Sequence, residues 1–191
     1  MPKLTTGEVR LSYAHLFEPK SIQGSDPKYS VSLIIDKTDT ATIQRIQKAV
    51  EEAIAEGKDT KWNGKVPPNL KLPLRDGDEE REDEAYENSY FINANSPQDR
   101  PPTIIKPNPN RTGIHDKYER VVDPTEVYSG CYAAASLSIY PFNANGNKGV
   151  AVGLNHILKL RDGEPLGGRS RAEDDFADFE LPENDGMGLL D

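Results

Sequence analysis

Between residues 131 and 140 the chain alternates strictly. Cys131, Ala133, Ala135, Leu137 and Ile139 lie on one side, and Tyr132, Ala134, Ser136, Ser138 and Tyr140 on the other. On the second side two aromatic rings flank three small residues. Small side chains let a flat ligand approach a sheet closely, and tyrosine rings offer planes on which bases stack, at about 1–3 kcal/mol per base and with no dependence on base identity. The same pattern also fits a second buried layer, because tyrosine is intermediate in burial.

Cations recur beside aromatics elsewhere. Arg10 is near Tyr13, Lys28 adjoins Tyr29, and Lys61 and Lys65 bracket Trp62. Interleaved cations and rings suit a groove that tracks a polyanionic backbone. Lys71, Arg75 and Lys148 complete the set of expected phosphate contacts, and Trp62, in a polar and lysine-rich setting, is the foremost stacking candidate. Tyr13 and Tyr29 alternate with apolar residues, which argues for the core in their case.

No coherent catalytic set accompanies these residues. Asp76, Asp78, Glu79, Glu80, Glu82, Asp83 and Glu84 could supply metal-binding carboxylates for a divalent-ion nuclease. Such ligands normally converge from separate strands, however, and here they are nearly consecutive in a proline-flanked loop, so a solvated loop is the better expectation. His15, His115 and His156 are isolated, and Cys131 sits on an apolar strand face. Phosphate-loop, nucleophile-elbow and dinucleotide fingerprints are absent. The expectation is a binding protein without cofactor or metal. The rivals are a nuclease using Asp76, Asp78 and Glu80, and an accessory protein that binds only other proteins.

The elements that must position these residues are mainly strands. Val9, Leu11 and Tyr13 alternate, as do Tyr29, Val31, Leu33 and Ile35. Residues 127–160 read as a hairpin turning at 143–149. One helix is expected where Ile43, Ile46, Val50 and Ile54 fall at helical spacing, capped by Thr38 or Thr40 and ended by Gly57. Residues 58–88 read as a long irregular excursion, and 96–110, with five prolines, as a loop.

Net charge is −9, with 32 acidic and 23 basic residues. Eight of the acids lie in 172–191, where no Lys or Arg falls, leaving a body of 24 acids against 23 bases. A neutral body can still sort its charges into a basic groove. Residues 162–191 lack any sustained period and are expected to form a disordered acidic tail after a folded domain at 1–161. Within the tail, Phe176 and Phe179 suit docking on a basic, apolar partner site. A single cysteine and no apolar signal in residues 1–20 point to a reducing interior, with no membrane span.

The stretches RLSYAHLFEP (10–19), KYSVSLIIDK (28–37), LPLRDGDEE (72–80), YFINANS (90–96), YSGCYAAASLSIYPFNANGNKGVAVGLN (128–155) and RDGEPLGGRSRAEDDFADF (161–179) resemble a bacteriophage family catalogued as the domain of unknown function DUF2815. Its members are regarded as single-stranded-DNA-binding proteins with an oligonucleotide-binding (OB) fold. The resemblance implies an OB-like five-stranded barrel with one helix, long loops and an acidic tail. It implies single-stranded DNA as partner, replication or recombination proteins as further partners of the tail, and the cytoplasm of an infected bacterium as the setting. The chain's end, Leu189–Leu190–Asp191, departs from the Phe-closed tip of bacterial single-strand binders.

Overall fold

The computed structural model describes residues 1–167 and 176–182. A short β1 (Lys3–Thr5) leads into β2 (Val9–Lys20) and β3 (Lys28–Asp36), the two alternating stretches, paired antiparallel. The helix α1 (Thr40–Thr60) follows and buries Ile43, Ile46, Ala49, Val50 and Ala53. Its cap is Asp39, whose carboxylate accepts from the Thr42 N–H at 3.2 Å, rather than either expected threonine. Nor does Gly57 end the helix. A Cβ there would come within 2.7 Å of both the Pro141 Cβ and the Trp62 ring, so this glycine lets the last helical turn press against the sheet.

The excursion after α1 is partly ordered. It contains β4 (Arg75–Asp76), a single-turn α2 (Gly77–Glu80) and a 3-10 turn at Glu84–Tyr86. Then come β5 (Ser89–Pro97), β6 (Thr103–Pro107), β7 (Tyr118–Arg120), β8 (Tyr132–Ala144) and β9 (Asn147–Arg161). The proline-rich 96–110 stretch is therefore not wholly a loop. Its prolines fall at strand ends and in the connection, leaving Thr103–Ile105 free to pair in parallel with β9.

Five strands form a ring in the order β8, β2, β3, β5, β9 and back to β8. Every junction is antiparallel except β5–β9, which is parallel and rests on one residue pair, Asn95 with Gly153. The expected five-stranded OB-like ring is present, with an open seam instead of full closure. β1, β4, β6 and β7 are additions at its edges. Inside the ring lie Leu11, Leu33, Ile35, Ile92, Leu137, Ile139, Val152 and Ile157, joined by the apolar stripe of α1, which packs against β1, β8 and β9.

Residues 75–88 cross the outside of β3 and β5 as a strap. Beneath it Ile34, Tyr86 and Phe91 form a second small core, with the two rings edge to face at 5.3 Å and the Tyr86 hydroxyl donating to Ser32 Oγ at 3.2 Å. Burying two such rings fixes the strap with about 1.5–3 kcal/mol each.

Residues 162–166 stay on the body, where a free tail is expected. The Tyr128 hydroxyl donates to Gly163 O at 2.9 Å and accepts from Gly163 N, while Leu166 N donates to Ser129 O at 2.9 Å. Gly130 and Gly163 make this possible: a Cβ on either would meet a carbonyl oxygen at 2.1 Å. In 176–182 the chain turns so that Phe176 and Phe179 face each other at 6.3 Å, both exposed. The disorder expected for 168–175 and 183–191 lies outside the described residues.

Candidate nucleic-acid interface

Tyr13 owes its position to a bulge in β2. Ser12 pairs with Ser32 and His15 with Ser30, so β2 uses one residue more than β3 between these points. The extra residue is accommodated by a left-handed backbone at Tyr13, φ 46°. This holds Tyr13 62% exposed, where unbroken alternation would bury it. The ring stands at a cleft of about 390 Å³ walled by His15, Lys20 and Arg81 and floored by Ser30, Asn93 and Asn95. Partial burial, and then the charge of Lys20, hold the His15 pKa below its usual value.

Asn95 also lines a second cleft, of about 580 Å³, which straddles the β5–β9 seam. There Tyr140 lies over Gly153, whose missing Cβ would sit 3.6 Å from the ring, and Ser136 and Ser138 keep the floor low. Lys3, Arg100 and His156 border it. Among the described residues no ion pair engages Lys3, Lys20 or Arg100.

Four of the expected phosphate contacts gather at the β8–β9 hairpin. Lys71 N donates to Lys148 O at 3.0 Å, Asn143 Nδ2 donates to Lys61 O at 3.3 Å, and Lys65 N donates to Trp62 O at 3.2 Å. All four lysine side chains are exposed. Trp62 itself does not fit a stacking role. It is 4% exposed, its Nε1 donates to Phe142 O at 3.2 Å, and its ring fills the space between Gly57 and the hairpin. Its polar sequence neighbours conceal this, because the residues that bury it come from α1 and β8.

Tyr132 is also committed elsewhere. The guanidinium of Arg161 sits 3.8 Å from its ring centroid and that of Arg10 at 5.5 Å, and a Cβ on Gly163 would approach Cε2 at 2.7 Å. Arg10 donates to Gly130 O and Glu164 O, so this pair anchors residues 162–166. Arg75 is bound to Glu80 at 2.8 Å and lies over Phe91, which removes it from the free cations. Lys28 is exposed beside Asp26 and Asp99, and Tyr29 is half-buried opposite Ser96.

The acidic run folds the strap. Asp76 and Asp78 receive Lys37 at 2.8 and 2.7 Å, and Asp83 caps Ala85 N at 3.0 Å. The Lys37 hydrogen bond holds Asp78 below the usual carboxylate range, and the Arg75 hydrogen bond does the same for Glu80. No His, Cys, Asp and Glu cluster among the described residues could hold a metal ion.

The family model described as "Enterobacter phage Enc34, ssDNA-binding protein" matches residues 2–187. The chain belongs to this family. A relative, p50 of Acyrthosiphon pisum secondary endosymbiont phage 1, is 29% identical, with 96% of this chain and 97% of p50 aligned. The single-stranded DNA-binding protein of bacteriophage Enc34, solved in complex with ssDNA, superposes with a TM-score of 0.69 at 26% identity, covering 86% of this chain and 89% of that one. The T7 protein gp2.5 shares the fold, with a TM-score of 0.56 at 18% identity and 96% of each chain covered.

Within this Enc34-type chain, the residues that sequence reasoning missed are His15, Lys20, Arg81, Asn93 and Asn95 in the first cleft, and Lys3, Arg100 and His156 in the second. No local motif marks them. They meet because the ring brings β2, β3, β5 and β9 side by side.

Proposed function

We propose that this chain binds single-stranded DNA along the outer face of the ring. The strand runs from the Tyr13 cleft, over Asn95, into the Tyr140 cleft and towards the lysine-bearing hairpin. Tyr13 and Tyr140 stack on bases, while Lys3, Lys20, Arg100, Lys61, Lys65, Lys71 and Lys148 neutralise phosphates. Because stacking and phosphate contact are indifferent to base identity, binding has little sequence preference. The observation that carries this reading is the exposed Tyr13 ring, held out by a bulge at a cleft that shares Asn95 with the Tyr140 cleft. OB folds bind oligonucleotides on the face of their second and third strands and through the loops joining strands one to two and four to five. In this ring those are β3, β5, the 21–27 turn and the β8–β9 hairpin. The Enc34 protein's capture with ssDNA supports single-stranded DNA as the ligand.

The role is one of coating, not catalysis, in phage DNA replication or recombination inside the infected bacterium. The acidic segment from 172 onward competes with DNA for the basic surface, and Phe176 and Phe179 recruit protein partners. The test is fluorescence anisotropy of a labelled oligo-dT at about 50 and about 200 mM salt. Tight binding that weakens with salt, and weakens further in Tyr13→Ala and Tyr140→Ala, is expected. Binding that ignores salt, or no binding at the lower salt, overturns the reading.

A further inference from the structure

Arg81 lies in sequence among seven carboxylates between residues 76 and 84, yet none of the ion pairs among the described residues engages it. The carboxylates that are held serve other groups: Asp76 and Asp78 hold Lys37, Glu80 holds Arg75, and Asp83 caps the 3-10 turn. The Arg81 guanidinium instead lies 4.7 Å from the Phe91 ring centroid and 5.7 Å from that of Tyr86. Both rings are fully buried, so the cation rests on a rigid platform. Its Nε is buried without a hydrogen-bond partner, the one side-chain atom in that condition among the described residues. The side chain nevertheless lines the cleft that holds Tyr13 and Lys20.

The buried Nε marks the inner side of the guanidinium, so the terminal Nη groups are the ones left to meet a ligand at the cleft. Stacking on two rings fixes the guanidinium before any ligand arrives, so little side-chain freedom is lost on binding. The two Nη groups can donate to the oxygens of a phosphodiester.

We infer that Arg81 is a phosphate-gripping residue of the Tyr13 cleft, which takes the phosphodiester next to the base stacked on Tyr13. The inference rests on the single-stranded-DNA reading given above and adds a contact to it. The strap is then the device that presents this cation, with its carboxylates turned to folding the strap.

The experiment compares wild type, Arg81→Ala and Arg81→Lys with a control, Arg111→Ala, which removes a cation from the 108–117 loop that lines neither cleft. Each is titrated with oligo-dT across a salt series. Arg81→Ala should bind about tenfold more weakly, with a salt slope smaller by about 0.7, the contribution of one phosphate on a single strand. Arg81→Lys should keep the slope and recover only part of the affinity, because a lysine keeps the charge without the fork or the stack. Arg111→Ala should stay within about twofold of wild type at equal salt. An Arg81→Ala affinity and slope equal to wild type would overturn the inference while leaving DNA binding intact. A wild type that fails to bind would instead overturn the parent reading. Should Arg81→Ala misfold, the Arg81 Nε–H resonance of the intact chain decides. A shift of that signal on addition of oligo-dT supports the contact, and an unmoved signal under saturating DNA refutes it.

Discussion

Replacing Tyr13 separates what its ring does from what its backbone costs. The residue is 62% exposed, so truncation removes little buried surface, and it holds φ at 46°, a conformation that costs a non-glycine residue about 1–2 kcal/mol. Tyr13→Ala loses the ring and keeps the strain. Tyr13→Gly loses both, but adds about 0.5–1 kcal/mol of chain entropy to be lost on folding. The glycine variant should therefore be more stable than the alanine variant by up to about 1.5 kcal/mol, which is up to about 3–6 °C in Tm for a chain of this length. On DNA the two should behave alike. Each forfeits one stacked base, about 1–3 kcal/mol, or roughly 5- to 150-fold in Kd. Differential scanning calorimetry and oligo-dT anisotropy at fixed salt measure the two quantities. An alanine variant more stable than the glycine variant would show that the left-handed backbone is not under strain. Wild-type affinity in both would remove Tyr13 from the interface.

Gly57→Ala should destabilise the protein even though alanine is better than glycine in a helix interior by about 1 kcal/mol. The added methyl falls 2.7 Å from Pro141 and from Trp62, and overpacking of this kind costs about 1–3 kcal/mol, so a lower Tm by thermal melt is expected. Trp62→Ala should cost about 3–5 kcal/mol in chemical denaturation. The emission of the single, buried Trp62 should stay nearly constant as DNA is added to wild type, and a large quench would place the ring in contact with bases. Asp78 and Glu80 titrate below their ordinary range because Lys37 and Arg75 bind them as anions. Their contribution to the strap is thus complete above the ordinary carboxylate pKa of about 4 and is lost as pH falls through the depressed values. Hydrogen exchange at Tyr86–Asn88 should accelerate over that acid range and stay level between pH 5 and about 8 relative to other protected amides.

Of the ring strands, β2, β3, β8 and β9 are legible in the sequence because each carries a period-two apolar pattern, as at Val31–Ile35 and Cys131–Ile139, while β5 is marked only by the family-like stretch 90–96. The family-like stretches 10–19, 28–37, 90–96 and 128–155 map onto these same strands. α1 is equally legible from its stripe, though its ends are not, because Asp39 and Gly57 take roles set by partners distant in sequence. Tyr140 and the hairpin lysines were readable as candidates. The Tyr13 flip was not, since nothing in VRLSYAHL announces a bulge that depends on register with β3. Trp62 misleads for the opposite reason: its neighbours are polar, and its burial comes from Phe142 and Gly57. Arg81 is hidden by the acids around it, four of which turn out to serve Lys37, Arg75 or the 3-10 turn.

The ring has one stiff side and one soft side. Thirteen residue pairs stitch β8 to β9, while β5 meets β9 at Asn95 and Gly153 alone. Prising that junction apart sacrifices a single rung, so the circumference can widen there at small cost while the opposite wall keeps its shape. A strand threaded across Asn95 would bridge this gap like a lace over an opening, and each nucleotide seated on both banks would draw them together.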